Sequence, residues 1–425
     1  MNTPSSVLVV GASAGGLATA EALRRKGYQG DLTLLDAEPH LPYDRPPLSK
    51  QVLSGAWDPE RTRLRSAEAL ATLGAEFVLA DPAVGLDLAT RTVHTASGRA
   101  LRADAIVLAT GLRPRRLPGQ AGLAGVHVLR TLDDAAALRA DLLTGARLVV
   151  VGDGVLGAEI AATARGMGHD VTLAGPQRAP MASQVGPTVA GLLGELHTER
   201  GVRLRPGAGV SGLTGRGGRV TGVRLDNGEV LPADVVVVAI GADPVTGWLA
   251  GSGLPVGNGV VCDSRCRAAA GIYAVGDVAR WHHDRLDTSL RLENRTNATE
   301  QAGVVAANIL GEEQAYAPVP YFWTDQFDTK VQVHGTLSAD AEVTIVDGAV
   351  ADRRFVALYR RAGRATGVLG WNMPKQTRLR RQEALDQRDE DGIVVLLDSD
   401  PPAELAADVE QAAMVCPALA ITVER

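Results

Sequence analysis

Cysteine is scarce in this chain: Cys262, Cys266 and Cys416 are the three in 425 residues. That is too few for a disulfide framework. There is no excess of positive charge either, and a net charge of −6 argues against wholesale nucleic-acid binding. No apolar run is long enough to span a membrane, and Met1 to Ser6 is too short and polar for a secretory signal. The expectation is a soluble cytoplasmic protein with no metal site. Aromatic residues make up 4% of the chain, whereas glycines number 48 and hydrophobic residues reach 45%. That balance suits an α/β protein with many tight strand-to-helix turns, long enough for two or three domains.

The stretch Val7 to Glu38 organises what is present. Val7 to Val10 is a short apolar run, the pattern of a buried parallel strand. Gly11, Ser13, Gly15 and Gly16 follow, then an Ala/Leu-rich amphipathic run, Leu17 to Lys26, which reads as a helix. Gly27 and Gly30 end it, and Leu32 to Leu35 form a second strand closed by Asp36. Small residues at the first turn let a pyrophosphate approach the helix N-terminus, where free N–H groups favour an anion. Asp36 or Glu38, past the second strand, could accept hydrogen bonds from an adenosine ribose. Ser13 stands where the middle glycine of such turns is usual.

His40 to Lys50 is a Pro-rich loop, and Arg61, Arg63 and Arg65 alternate in the segment after it. Phe77 to Leu79 and Arg91 to Thr95 read as strands of a meander. Ala105 to Ala109 is another buried strand, ending in Thr110 and Gly111, and LRPRRLPG reads as a linker.

A second βαβ unit follows. Thr131 and Asp134 form a capping box for a helix over Asp133 to Leu143. Leu148 to Val151 is a strand, followed by Gly152, Gly154 and Gly157 in a full G-x-G-x-x-G that also contains Val155 and Leu156, and then by Glu159. The helix runs from Leu156 to about Met167, and Asp170 to Leu173 is the second strand. An acid after that strand would hold the ribose 2′-OH of NAD and repel a 2′-phosphate. Gly175 leaves none there, so NADPH is not excluded, and Arg178 could reach a phosphate. Val235 to Ile240, with Gly241, closes this unit. Two dinucleotide-binding units mean two dinucleotides and point to a flavoprotein that takes electrons from a nicotinamide. Asp277, in GIYAVGDVA, is placed either to cap a helix or to accept a flavin ribityl hydroxyl.

The chain resembles the bacterial ferredoxin reductase family, the flavoproteins that include putidaredoxin, rubredoxin and biphenyl-dioxygenase ferredoxin reductases. The residues that carry the likeness are the first glycine turn with Glu38, PYDRPPLSK at Pro42 to Lys50, and ATGLRPR at Ala109 to Arg115. GDGVLGAE at Gly152 to Glu159, IYAVGDVA at Ile272 to Ala279, ENRTNATEQ at Glu293 to Gln301 and PYFWTDQFD at Pro320 to Asp328 complete it. The resemblance implies an α/β fold with two Rossmann-like domains, glutathione-reductase-like, and a small C-terminal α+β domain. The implied boundaries are 1–113 with 242–318 for a discontinuous FAD domain, 114–241 for an NAD(P)H domain and 319–390 for the C-terminal domain. It also implies electron delivery from NADH or NADPH through FAD to a small iron–sulfur ferredoxin serving a cytochrome P450 or a ring-hydroxylating oxygenase.

The family's site roles carry over by position. Arg45 and Lys50 would lie by the isoalloxazine and pyrophosphate, with Lys50 near the reactive edge. Asp277 would hold the ribityl chain, and the helix start after Glu293 would face the pyrimidine end. Trp323 would sit on the electron-exit side and Glu159 near the nicotinamide. Arg130, Ile240, Gly241, Gly276, Asn297 and Ala298 join these as candidate cofactor contacts, and Lys50, Glu159 and Trp323 are the candidate catalytic residues. Arg295 departs from the family, where an aromatic is common. With Arg61 to Arg65, Arg291 and Arg378 to Arg381, it would form a basic patch suited to an acidic ferredoxin if these segments converge around Trp323. A monomer or weak homodimer is expected. A redox-sensing flavoprotein like apoptosis-inducing factor is the alternative. A thiol-dependent NADH oxidase or disulfide reductase is disfavoured, because no cysteine precedes Cys262. After Gln387 the sequence resembles the second half of a [3Fe-4S] ferredoxin, so 391–425 is a tail whose single Cys416 should hold no cluster.

Overall fold

The computed structural model describes residues 3–386 apart from position 146; the ferredoxin-like tail at 391–425 and Cys416 lie outside the described residues. Ser6–Val10 is buried on both faces and pairs in parallel with Asp31–Leu35 on one side and Ala105–Leu108 on the other. Continuous apolar runs suit this position because both faces of a central parallel strand are covered. The sheet has six strands, in the order Arg267–Ala269, Ile272–Ala274, Ala105–Leu108, Ser6–Val10, Asp31–Leu35 and Glu76–Val78. Helix Ala14–Arg25 crosses from Ser6–Val10 to Asp31–Leu35 and packs on helix Arg295–Ile309.

A second sheet repeats the design with five parallel strands: Arg203–Pro206, Asp170–Gly175, Arg147–Val151, Val235–Val238 and Val126–His127. The two βα turns are near copies. Gly11 has φ +109° and donates its N–H to Leu35 O at 2.7 Å; Gly152 has φ +112° and donates to Ala174 O at 2.7 Å. A Cβ on Gly16 would overlap Gly11 O, and one on Gly157 would overlap Gly152 O. Each helix therefore starts hard against its own turn, which only glycine allows.

The third sheet is antiparallel, in the order Tyr321–Gln326, Thr329–Gly335, Arg364–Trp371, Arg354–Arg361 and Glu342–Ala349, with helix Pro374–Asp386 against it. Its inner face (Val331, Phe355, Tyr359, Trp371) shares a core with Val185, Val189 and Leu193 of helix Ala182–Glu199. Tyr359 donates its hydroxyl to Val185 O at 2.6 Å across that junction. Similarly, Leu48, Val52 and Leu53 of the Pro-rich segment enter a core with Leu138, Leu148 and Ile160. Burying one such leucine contributes about 1.5–3 kcal/mol, so the loop is anchored on the second unit.

Two expectations are corrected. Glu76–Val78 is not a meander strand but the parallel edge of the first sheet, since Leu35 pairs with Val78. Thr92–Thr95 is a meander strand as expected, the middle one of a separate antiparallel sheet between Ala83–Asp87 and Ala100–Arg102. The expected linker also begins as a strand: Leu112–Pro114 pairs antiparallel with Ala242–Pro244, so the two passages between the parallel sheets lie side by side.

Candidate functional site

A groove of about 1010 Å³ runs between the two parallel-sheet units and the first strand of the third sheet, and both glycine turns open into it. At the first turn, Ser13 and Gly15 line the groove. Ser13 is the N-cap of helix Ala14–Arg25, yet its side chain makes no capping bond, so its hydroxyl stays available at the helix N-terminus. Gly11 and Gly16 stand behind the lining and shape the turn.

The two acids past the second strand are both engaged within the protein. The Asp36 carboxylate takes the N–H groups of Ala12 at 2.5 Å and Glu38 at 2.9 Å and so braces the turn. Glu38 also lies off the groove lining. Its oxygens accept the Tyr43 hydroxyl at 2.5 Å and Arg45 Nη2 at 2.8 Å. Arg45, which does line the groove, stacks over the Tyr43 ring at 5.0 Å. Burial pushes the Tyr43 phenol up, with Arg45 opposing the shift.

Lys50 and Glu159 meet in the middle of the groove. Lys50 Nζ lies 2.7 Å from Glu159 Oε2, with side chains 13% and 7% exposed. The same Oε2 accepts Ser49 Oγ at 2.6 Å, and Oε1 accepts Thr324 Oγ1 at 2.9 Å. Lys50 ends the Pro-rich loop, Glu159 sits on helix Val155–Gly166, and Thr324 is on strand Tyr321–Gln326. One carboxylate thus ties together the three parts of the chain. The sequence pointed to Lys50 and Glu159 separately, and nothing in it marked Ser49 and Thr324 as their partners.

Ala109, Thr110 and Gly111 line the opposite wall with Arg130, Gly276 and Asp277. Thr110 Oγ1 donates to Val245 O at 2.9 Å, and a Cβ on Gly111 would come within 2.8 Å of Arg130 Nη2. Arg130 lies 3.5 Å from Asp277, and burial lowers its guanidinium from the ordinary range, with Arg45 adding to the effect. Asp277 sits in a short 3-10 turn, Gly276–Val278, whose first N–H goes to Gln301 Oε1 at 2.8 Å. Helix Arg295–Ile309 is capped by the Asn294 side chain, and Ala298 faces the groove. Asn297 does not: its side chain is 3% exposed, bonds Leu292 O and the Tyr316 hydroxyl, and faces a second cavity behind the helix start. Glu293 lines the groove but is paired with Arg291 at 2.7 Å.

At the second turn, Gly152, Gly154, Val155 and Leu156 line the groove, as do Ile240 and Gly241; Gly157 is tucked behind. Gly175 was expected to leave an open, uncharged position. It does not, because a Cβ there would overlap the carboxyl carbon of Asp153. Arg178 is exposed and off the lining. Asp153 went unremarked in the sequence, where an acid between two turn glycines reads as surface. Gln184 also lines this end, and its Oε1 is buried without a partner.

Trp323 lines the groove edge, stacked on Tyr321 at 5.9 Å, which in turn stacks on His334 at 4.7 Å. The arginines converge only in part. Arg291 and Arg295 reach the groove, the latter held by Asp44 at 2.8 Å, and Arg378 and Arg381 line the adjoining cavity with Tyr321. Arg61 stacks on Trp57, while Arg63 and Arg65 pair with Glu60 and Glu21, and none of the three lines either cavity. Cys262 and Cys266 are buried away from the groove. Burial holds both thiols up, Cys266 to about 12, which leaves them poor nucleophiles.

These residues fit two dinucleotides. Each glycine turn brings a helix start to the same groove, with the small residue Ser13 at the first N-cap and Gly154 at the second. Residues 5–302 match the pyridine nucleotide-disulphide oxidoreductase family, and residues 321–404 match the reductase C-terminal family. Rhodocoxin reductase of Rhodococcus erythropolis is 37% identical over 87% of each chain. The ferredoxin reductase for the CYP199A2 system from Rhodopseudomonas palustris superposes with a TM-score of 0.87 and 35% identity, over 92% of this chain and 98% of that one. The covalent putidaredoxin reductase–putidaredoxin complex gives a TM-score of 0.86 and 32% identity, over 91% and 94%.

Proposed function

The chain belongs to the pyridine nucleotide-disulphide oxidoreductase family, and on that premise we propose an FAD-dependent NAD(P)H:ferredoxin oxidoreductase. Its electrons would pass to a small, acidic iron–sulfur ferredoxin that serves a cytochrome P450 or a ring-hydroxylating oxygenase. The observation that carries the reading is the single groove onto which both glycine turns open, with the Lys50–Glu159 pair between them and Trp323 at its edge.

FAD would be held by Ser13, Gly15, Arg45, Thr110, Gly111 and Asp277, within 1–113 and 242–318. The nicotinamide dinucleotide would lie along Gly152, Gly154, Leu156 and Ile240, within 114–241. Bound FAD supplies the exchange between a two-electron hydride donor and a one-electron acceptor. The protein positions the two ligands and screens them from water, and the salt bridge to Glu159 holds Lys50 in place at the groove. The helix dipole at Asn294 favours negative charge at the flavin's far end. Trp323 and Tyr321 provide a stacked aromatic edge where an acceptor can approach, and the third sheet forms that docking side. We place the protein in the cytoplasm as a monomer or weak homodimer; no described helix is long and apolar enough to cross a membrane.

The test is reduction of cytochrome c by NADH or NADPH with a panel of purified iron–sulfur ferredoxins. Fast turnover only when a ferredoxin is present supports the reading. Slow turnover that no ferredoxin accelerates would instead favour a flavoprotein that senses redox state.

A further inference from the structure

We propose that Asp153 reads the ribose of the nicotinamide dinucleotide and makes this chain selective for NADH, resting on the assignment of the second glycine turn as the NAD(P)H site. In a Rossmann unit the acid that accepts from the ribose 2′-OH ordinarily projects from the end of the second strand. Here that strand, Asp170–Gly175, ends in a glycine. The carboxyl group is supplied from the other side, by the residue between the two turn glycines, and it occupies the space where a side chain at 175 would begin.

The carboxylate is fixed there. Asp153 is 6% exposed. Gln177 donates its backbone N–H to Oδ2 and its side-chain Nε2 to Oδ1, each at 2.9 Å. Gln177 is itself held by Ser183 N–H, which donates to Oε1 at 2.6 Å, and the Asp153 carbonyl accepts Met181 N–H at 2.8 Å. Each carboxylate oxygen keeps a free lone pair, and the residue still lines the groove beside Gly154, Pro176 and Gln184.

A ribose 2′-hydroxyl can donate to such a group. A 2′-phosphate brings like charge against a buried carboxylate that cannot swing away, since its partners are backbone and an anchored amide. Discrimination of this kind comes from the repulsive element as much as from the attractive one. The expected preference for NADH over NADPH is about a hundredfold or more, the order produced by one close like-charge contact at a buried site lining a groove.

The experiment titrates the FAD-loaded protein calorimetrically with NAD⁺ and with NADP⁺, and follows kcat/KM with NADH and NADPH alongside. The parent is expected to bind NAD⁺ the more tightly by that factor. Asp153→Asn should reduce the ratio of dissociation constants to under about tenfold, mainly by improving NADP⁺. Gln177→Ala keeps the charge and should weaken both ligands while the ratio stays high. A brace with no part in recognition would move both ligands together in Asp153→Asn, and that result overturns the proposal. So does a parent that binds the two equally. If neither ligand binds the parent, the assignment of the second turn fails and this proposal falls with it.

Discussion

The Lys50–Glu159 pair makes the most exacting test, because its contribution to stability and its contribution to activity should separate. The two groups lie 2.7 Å apart and are 13% and 7% exposed, so neither is solvated once its partner is gone. Glu159→Leu leaves the ammonium with Ser49 Oγ at 3.3 Å as its remaining contact; Lys50→Met leaves the carboxylate with Ser49 and Thr324. Removing one partner of a buried pair costs about 3–5 kcal/mol, whereas replacing both with apolar groups of similar size is often close to neutral. For a chain of this length, with an unfolding entropy of about 0.9 kcal/mol/K, each single variant should melt roughly 3–6 °C lower. The double variant should recover most of that loss, so the coupling energy should exceed the loss in either single variant. Thermal unfolding followed by flavin fluorescence reads the stability. Stopped-flow reduction of the flavin by NADH reads the function, and there the double variant should stay as slow as the worse single variant. Strictly additive losses of stability would refute the argument, since they would mean that water already screens the pair. Recovery of flavin reduction along with stability would remove both residues from the catalytic machinery and leave them as a brace.

Four further outcomes are expected. Gly16→Ala should abolish FAD retention and Gly157→Ala should abolish NAD⁺ binding while FAD stays bound, because each new Cβ overlaps a turn carbonyl; absorbance and calorimetry on the purified variants check this. Asp277→Ala should weaken flavin retention by about 1.5–3 kcal/mol, the range for a bond to a charged group, and unchanged retention would take Asp277 out of the site. The His334 imidazole is held down to about 4 by burial, with Arg381 adding to it. The unfolded chain therefore takes up that proton first, so stability is full above about pH 6.5 and falls by roughly 3 kcal/mol as pH drops towards 4. His334→Gln should flatten that window relative to the parent in pH-dependent melting. Ferredoxin reduction should fall with ionic strength while ferricyanide reduction barely changes. Charge reversal at Arg378 or Arg381 should raise the KM for ferredoxin, whereas reversal at Arg61 should not.

Much of this protein was legible before any coordinates. The two βαβ units, their glycine turns, the capping box at Thr131 and the buried strands are local consequences of apolar period, turn chemistry and helix starts. A span of some 30 residues contains everything needed to specify each one. Which residues line the groove was legible from local pattern where a turn itself delivers them, as at Ser13, Thr110, Gly154 and Asp277. Tertiary packing decided the rest. Whether Asp36 meets a ribose or braces its own turn depends on where the Ala12 N–H points, and the fate of Glu38 depends on Tyr43 and Arg45 reaching back to it. Glu159 gains partners from residues 49, 50 and 324, which no spacing rule could join. The missing acid at Gly175 was a correct reading of one strand, but a side chain 22 positions earlier fills the space. A sequence lists charges along a line; which of them meet, and which water can still screen, is settled only when distant segments are packed to atomic contact.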